Sequence, residues 1–212
     1  MSASPIEVRS RLLGEQVVKA LKERFFDAYY CETRESAVKT ALSLIPEKSS
    51  VTWGGSMTIR DIGLTDALKK GDYLVYDRDE VPPEKRADFV REHFFSDFFL
   101  TSSNAITQDG ILYNIYGMGN RVASMIYGPK NVIAVIGINK IVKDETSAIS
   151  RMRSTAAPIN AQRFDIKTPC KKTGKCEDCK SGDSICSYLV ATRMCKPKNR
   201  IKVIIVGESL GY

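Results

Sequence analysis

Four of the six cysteines fall within seventeen residues, spaced Cys170-x5-Cys176-x2-Cys179-x6-Cys186, with Cys195 nine positions further on and Cys31 far upstream. The N-terminus is charged from Glu7 onward and carries no apolar signal core, so the expected compartment is the cytoplasm, where thiols stay reduced. Clustered thiols in that setting favour metal over disulfides. Four thiolates suit tetrahedral zinc, and they equally suit a [4Fe-4S] cluster. The tract follows neither the paired CxxC of zinc ribbons nor the regular spacing of bacterial ferredoxins, so zinc, the cluster and free or redox-active thiols all remain open. Cys31, after Tyr29 and Tyr30, reads as a small buried apolar residue. Residues 167–200 hold nine Lys or Arg against three Asp or Glu, so six of the net +7 charges belong to this one tract. That excess would offset the negative charge of a thiolate-bound metal. It does not spread over a general polyanion-binding face, and without a recognition-helix signature nucleic acid is not an expected partner.

Trp53-Gly54-Gly55-Ser56 follows an apolar strand and precedes a helical stretch. Such a turn lies at a strand's carboxyl end, where open α/β sheets bind ligands. Gly54 and Gly55 would let backbone approach a ligand, and Ser56 or Thr58 would cap the next helix, whose N-H groups attract a phosphate or carboxylate. A tight turn without a ligand is the competing reading. Gly117-Met118-Gly119-Asn120-Arg121 imitates a dinucleotide fingerprint, but Val122 stands at the third glycine position. What it offers is a second helix start with Asn120 and Arg121 available to an anion, and Lys140 beyond NVIAVIG would add a cation. The single histidine, His93, sits in an apolar helical stretch and reads as structural, which excludes His-rich zinc and two-His iron chemistry.

These turns need elements to hold them. Ser4-Pro5-Ile6-Glu7 reads as a capping box opening a helix that buries Val17 and Leu21, and a second helix starts near Thr33. Short Val- and Ile-rich runs follow: SVTW, DYLVYD, DFFLTSS, ILYNIY, NVIAVIG and IKVIIVG, with helical stretches at 57–69, 83–95, 120–127 and 145–157 between them. Strands apolar on both faces and separated by helices predict an α/β fold, a mostly parallel open sheet with helices on both faces. The 212 residues read as one domain: an N-terminal helical part over 1–50, and a cysteine-rich basic insertion over 165–200 before the last strand. No apolar run reaches the roughly 20 residues of a membrane span.

Taken together, WGGSMTIRDIGL, FLTSSNAITQDGILYNIYGMGNRVASMIYGP, VIAVIGINKIV, APINAQR, the PCKKTGKC tract and RIKVIIVGESLG resemble the lactate-utilisation (LUD) domain family over about residues 5–212. The resemblance implies a fold akin to sugar-phosphate isomerases and coenzyme A transferases, with a small anionic ligand at the sheet's carboxyl edge. It implies association with iron-sulfur oxidoreductase subunits that oxidise lactate to pyruvate. It also places Gly54, Gly55, Ser56, Asn104, Thr107, Asp109, Gly110, Asn114, Gly119, Asn120, Arg121 and Lys140 in a shared cleft. Neither cleft turn carries the glutamate that coenzyme A transferases use as acyl acceptor. The alternative is an isomerase-like or transferase-like enzyme with structural zinc, in which Asp109 and Lys140 are the catalytic candidates and Asp109 serves either as a base or merely as a turn former.

Overall fold

The computed structural model describes residues 3–212. Helix α1 (Pro5–Glu23) starts from the expected capping box: Ser4 Oγ accepts the Glu7 N-H, and Ser4 N-H donates to Glu7 Oε2. The next element is strand β1 (Asp27–Cys31), so the N-terminal helical part expected over 1–50 carries a strand between its two helices. Helix α2 (Arg34–Ser43), β2 (Ser50–Trp53), α3 (Met57–Asp61), α4 (Leu64–Lys70) and β3 (Leu74–Tyr76) follow. The single helix expected over 57–69 is broken at Gly63, whose φ of 78° turns the chain between α3 and α4. Helix α5 (Arg86–Glu92) leads to β4 (Phe98–Thr101), the hairpin β5 (Ala105–Thr107) and β6 (Leu112–Tyr116), helix α6 (Asn120–Tyr127) and β7 (Asn131–Gly137).

Strand β8 (Ile141–Val142) and helix α7 (Glu145–Arg151) come next; α7 passes through a π-helical turn at Met152–Ala156 directly into α8 (Ala157–Ala161). Helix α9 (Pro169–Thr173), β9 (Tyr188–Thr192) and β10 (Ile201–Val206) complete the chain. Six strands form a fully parallel sheet in the order β1-β10-β7-β4-β2-β3. Val132 to Ile136 of β7 and Val203 to Val206 of β10 are completely buried, as strands covered on both faces must be.

One face packs under α2, α3 and α4, where Ala37, Ala41, Ile59, Leu64 and Leu68 meet Val51, Val135 and Ile204. The opposite face carries Val17 and Leu21 of α1, Met125 of α6, and a second sheet that the sequence did not separate from the first. Its order is β8-β5-β6-β9, with β6 antiparallel to both neighbours. Ile106 and Leu112 point from it into the main core, while Ala105, Tyr113 and Ile115 turn outward to Ala148, Met152 and Ala157 of the α7–α8 helix. The cysteine tract is therefore more than an insertion, because its second half supplies β9 as an edge strand of this sheet.

Candidate functional site

Strands β2, β4 and β7 end side by side, so the turns after Trp53, Thr101 and Gly137 converge at the sheet's carboxyl edge. A 3-10 turn over Ile138–Lys140 then sends the Lys140 side chain back under this edge. Lys140 is 2% exposed, and its Nζ donates to Thr58 Oγ1 at 2.9 Å and Ser102 Oγ at 3.0 Å. Among the described residues no carboxylate forms an ion pair with it. Burial, followed by the fields of Arg151 and Arg121, pushes its pKa down to about 7. Lys140 is thus a buried amine that can change charge near neutral pH.

Lys140 lies in the wall of a narrow cleft of about 30 Å³, lined also by Gly55, Ser56, Ser102, Asn104, Arg121, Asn160, Arg163 and Tyr212. Three cations and no acid line it. Ser56 Oγ is buried there with no hydrogen-bond partner, and it does not cap α3. Gly54 lies against Arg121: a Cβ at Gly54 would come within 2.7 Å of Arg121 Cδ. The Arg121 guanidinium stacks 4.2 Å from the Tyr116 ring centroid. The Leu210–Tyr212 segment closes one side. Gly211, at φ 54°, has no Cβ to strike Thr58 Oγ1, and the Tyr212 hydroxyl reaches Asn160 Oδ1 at 3.3 Å. Convergent cations with an idle hydroxyl suit a small anionic head group, a carboxylate or a phosphate.

The structure divides the expected cleft residues. Gly54, Gly55, Ser56, Thr58, Asn104, Arg121 and Lys140 meet at the sheet edge, with Asn104 Oδ1 held by the Ile115 N-H and its carbonyl by Arg151. Thr107, Asp109 and Gly110 do not join them. They form the β5–β6 turn, which docks on the end of α1: Asp109 Oδ2 accepts Arg24 Nη2 at 2.6 Å, and Thr107 Oγ1 donates to Asp109 Oδ1 at 2.5 Å. A Cβ at Gly110, whose φ is 84°, would meet the Ala20 backbone at 2.9 Å. The pairing of Asp109 with Lys140 as catalytic partners is therefore corrected, since a salt bridge to α1 holds Asp109 elsewhere. Asn114 is fully buried in β6 with neither amide atom bonded. Gly119 and Asn120 open α6 toward a neighbouring groove. His93 is structural: its Nδ1 lies 2.7 Å from the Phe89 carbonyl, and its ring packs on Tyr76 and Phe89.

Sequence reasoning missed Ser102, Ser103, Arg151, Asn160, Arg163 and Tyr212. Ser102 and Ser103 end the DFFLTSS run, and nothing in their spacing distinguishes ligand-facing hydroxyls from turn formers. Asn160 and Arg163 stand in the APINAQR motif beyond the helical stretch expected over 145–157, and nothing in that motif shows that it lies over the sheet edge.

A second site lies on the other side of α8. Cys170 on α9, Cys176 and Cys179 in the following loop, and Cys186 before β9 all line one cavity of about 110 Å³, with Arg153, Ala157 and Pro158 on its helical wall. All six cysteines are free thiols. Burial, and then the nearby Cys170, Cys176 and Cys179, push the Cys186 thiol up to about 11. Arg153 bridges to Asp178 at 2.6 Å beside Cys176. Among the described residues, no three His, Cys, Asp or Glu side chains are gathered as a site for a single metal ion. The four thiols instead surround a space. Cys31 and Cys195 are buried apart from this group, Cys195 Sγ accepting the Ile201 N-H.

The LUD domain model matches residues 14–206 of the chain. The chain is similar to the crystal structure of a DUF162 family protein from Deinococcus radiodurans, with 13% identity, 93% of this chain and 98% of that chain covered, and a TM-score of 0.56. That likeness bears on the fold alone. No curated protein matches the chain.

Proposed function

Because the chain belongs to the LUD domain family, we propose that it is an accessory subunit of lactate or related hydroxyacid oxidation, holding the acid in the Lys140 cleft and a [4Fe-4S] cluster on Cys170, Cys176, Cys179 and Cys186. One observation carries the reading: the continuous helix from α7 through α8 forms a wall of both sites, with Arg153, Ala157 and Pro158 toward the cysteines and Asn160 and the following Arg163 toward the cleft. The donor set, four cysteine thiols lining one cavity, suits a [4Fe-4S] cluster, and zinc is the alternative that the metal content would decide. When bound, such a cluster accepts and passes on single electrons.

The chain's own residues have separate tasks. Arg121 and Arg163 offer charge-assisted donors to the acid's carboxylate, and the Ser56 hydroxyl has a free donor for a second oxygen. As an ammonium, Lys140 Nζ adds the positive charge that holds the anion. As a neutral amine it accepts a proton from a substrate hydroxyl, and a pKa of about 7 makes both forms accessible. The oxidation itself, which removes two electrons and the Cα hydrogen, is assigned to an iron-sulfur oxidoreductase subunit as partner, to which a cluster held here would serve as a relay.

The test is spectroscopic. Lactate or pyruvate added to the reduced, anaerobically purified chain is expected to shift the cluster's electron paramagnetic resonance signal, because both sites share one helix. A cluster signal indifferent to saturating acid would contradict the reading.

A further inference from the structure

A groove of about 700 Å³ runs beside the cleft between α5 and the start of α6. It falls within the roughly 300–1,000 Å³ typical of organic-ligand pockets, whereas the cleft of about 30 Å³ has room only for a small head group. Arg78, Arg86 and Arg91 line the groove with no acidic residue among its lining. Two of them have donors to spare. Arg86 commits only its Nε, to the Val81 carbonyl, and Arg78 Nε is buried without a hydrogen-bond partner, its nearest carboxylate being Asp79 at 3.7 Å. The opposite wall is the first turn of α6. Gly119 there provides no side-chain cap, so the leading N-H groups of α6 have no side chain across them. Between these charges lie Val90, Phe94, Met118 and Tyr188, with Met118 86% exposed.

Groove and cleft adjoin. Arg78 Nη2 lies within 2.8 Å of where a Gly55 Cβ would stand, and Gly55 lines the cleft. Asn120 opens into the groove while the adjacent Arg121 lines the cleft.

We propose that the groove binds the nucleotide portion of an extended ligand, a nucleoside diphosphate group whose phosphates face Arg78, Arg86 and the α6 N-terminus and whose ring lies against Phe94, Met118 and Tyr188. Two features select this class. Arg91 is paired with Asp88 at 2.6 Å, but the donors left free on Arg78 and Arg86 select phosphate over a neutral polar group, and the apolar lining adds a surface for a flat ring that inorganic phosphate would leave wet. The direction of the ligand, with its acidic end toward Lys140, rests on the proposed anion cleft. The occupancy of the groove does not.

Titration calorimetry of the full chain with ADP, pyrophosphate and adenosine tests this. ADP is expected to bind at least about ten-fold more tightly than either fragment, since charge and ring contacts each contribute. Met118→Glu, a change at an exposed rim position, and Arg86→Gln are each expected to weaken ADP binding by about ten-fold or more. ADP that fails to saturate at millimolar concentration, or whose affinity neither variant alters, would overturn the proposal. Pyruvate titrated into the chain and into Lys140→Met separates the two sites. Pyruvate binding lost in the variant with no ADP binding in either protein leaves the cleft standing and removes the groove. ADP binding with no pyruvate binding in either protein keeps the groove and removes the cleft.

Discussion

Lys140 is held by two hydroxyls and faced by arginines, so its charge is the most adjustable in the cleft. Its pKa falls from 10.5 to about 7 on folding, so between those values the unfolded chain binds more protons than the native one. Its contribution therefore makes stability rise with pH through that window, and below about pH 7 the penalty of the buried charge is present in full. Lys140→Met is expected to flatten this rise, as urea denaturation at about pH 6 and about pH 9 would show. The same variant should weaken binding of a small carboxylate at neutral pH by about 10- to 100-fold, the range for a lost charged hydrogen bond. Asp109→Asn provides the contrast. Anion affinity is expected to stay within about two-fold, and stability to fall by no more than about 1 kcal/mol, because its pair with Arg24 is partly exposed. Loss of anion binding in Asp109→Asn and not in Lys140→Met would reverse the assignment. Lys140 was legible because a lysine just past the most apolar strand must lie at the sheet's edge. The position of Asp109 was not, because its partner Arg24 lies 85 residues away.

Among the elements, the parallel strands were readable wherever both faces are buried, since continuous Val and Ile runs leave few alternatives. Strand β1 escaped notice because DAYYC is short and stands between two well-capped helices. Strand β9 escaped because it is a half-exposed edge inside a tract dominated by lysine and cysteine. The second sheet could not be separated in the sequence, because every residue of LYNIY is buried, as in the first sheet. Its hairpin is anchored at Gly110, where a positive φ coincides with close approach to α1. Gly110→Ala is expected to cost about 1–3 kcal/mol, from backbone strain and displacement of the turn. A denaturation midpoint equal to that of the parent chain would show that the hairpin docks loosely.

At the scale of the molecule, two layers of sheet leave two sites on either side of one helix. The basic excess of the 167–200 tract is not gathered at the cysteines: Arg153 is the cation lining their cavity, while Lys198 lies over Phe25 and Arg200 binds the end of α6. Among the described residues no helix is long and apolar enough to cross a membrane. The parallel core, the helices on both faces and the sheet edge where Ser56, Arg121 and Lys140 meet could all be anticipated from pattern. That the four cysteines could act as one set was read from their spacing; how they meet was not, because spacing alone does not reveal that β9 folds back along β6 to bring Cys186 toward the other three. The most direct measurement is therefore the iron, zinc and acid-labile sulfide content of anaerobically purified protein, beside a Cys176→Ser, Cys179→Ser variant. The account predicts about four iron and four sulfide per chain, lost in the variant. About one zinc without sulfide, or no metal in either protein, would contradict it.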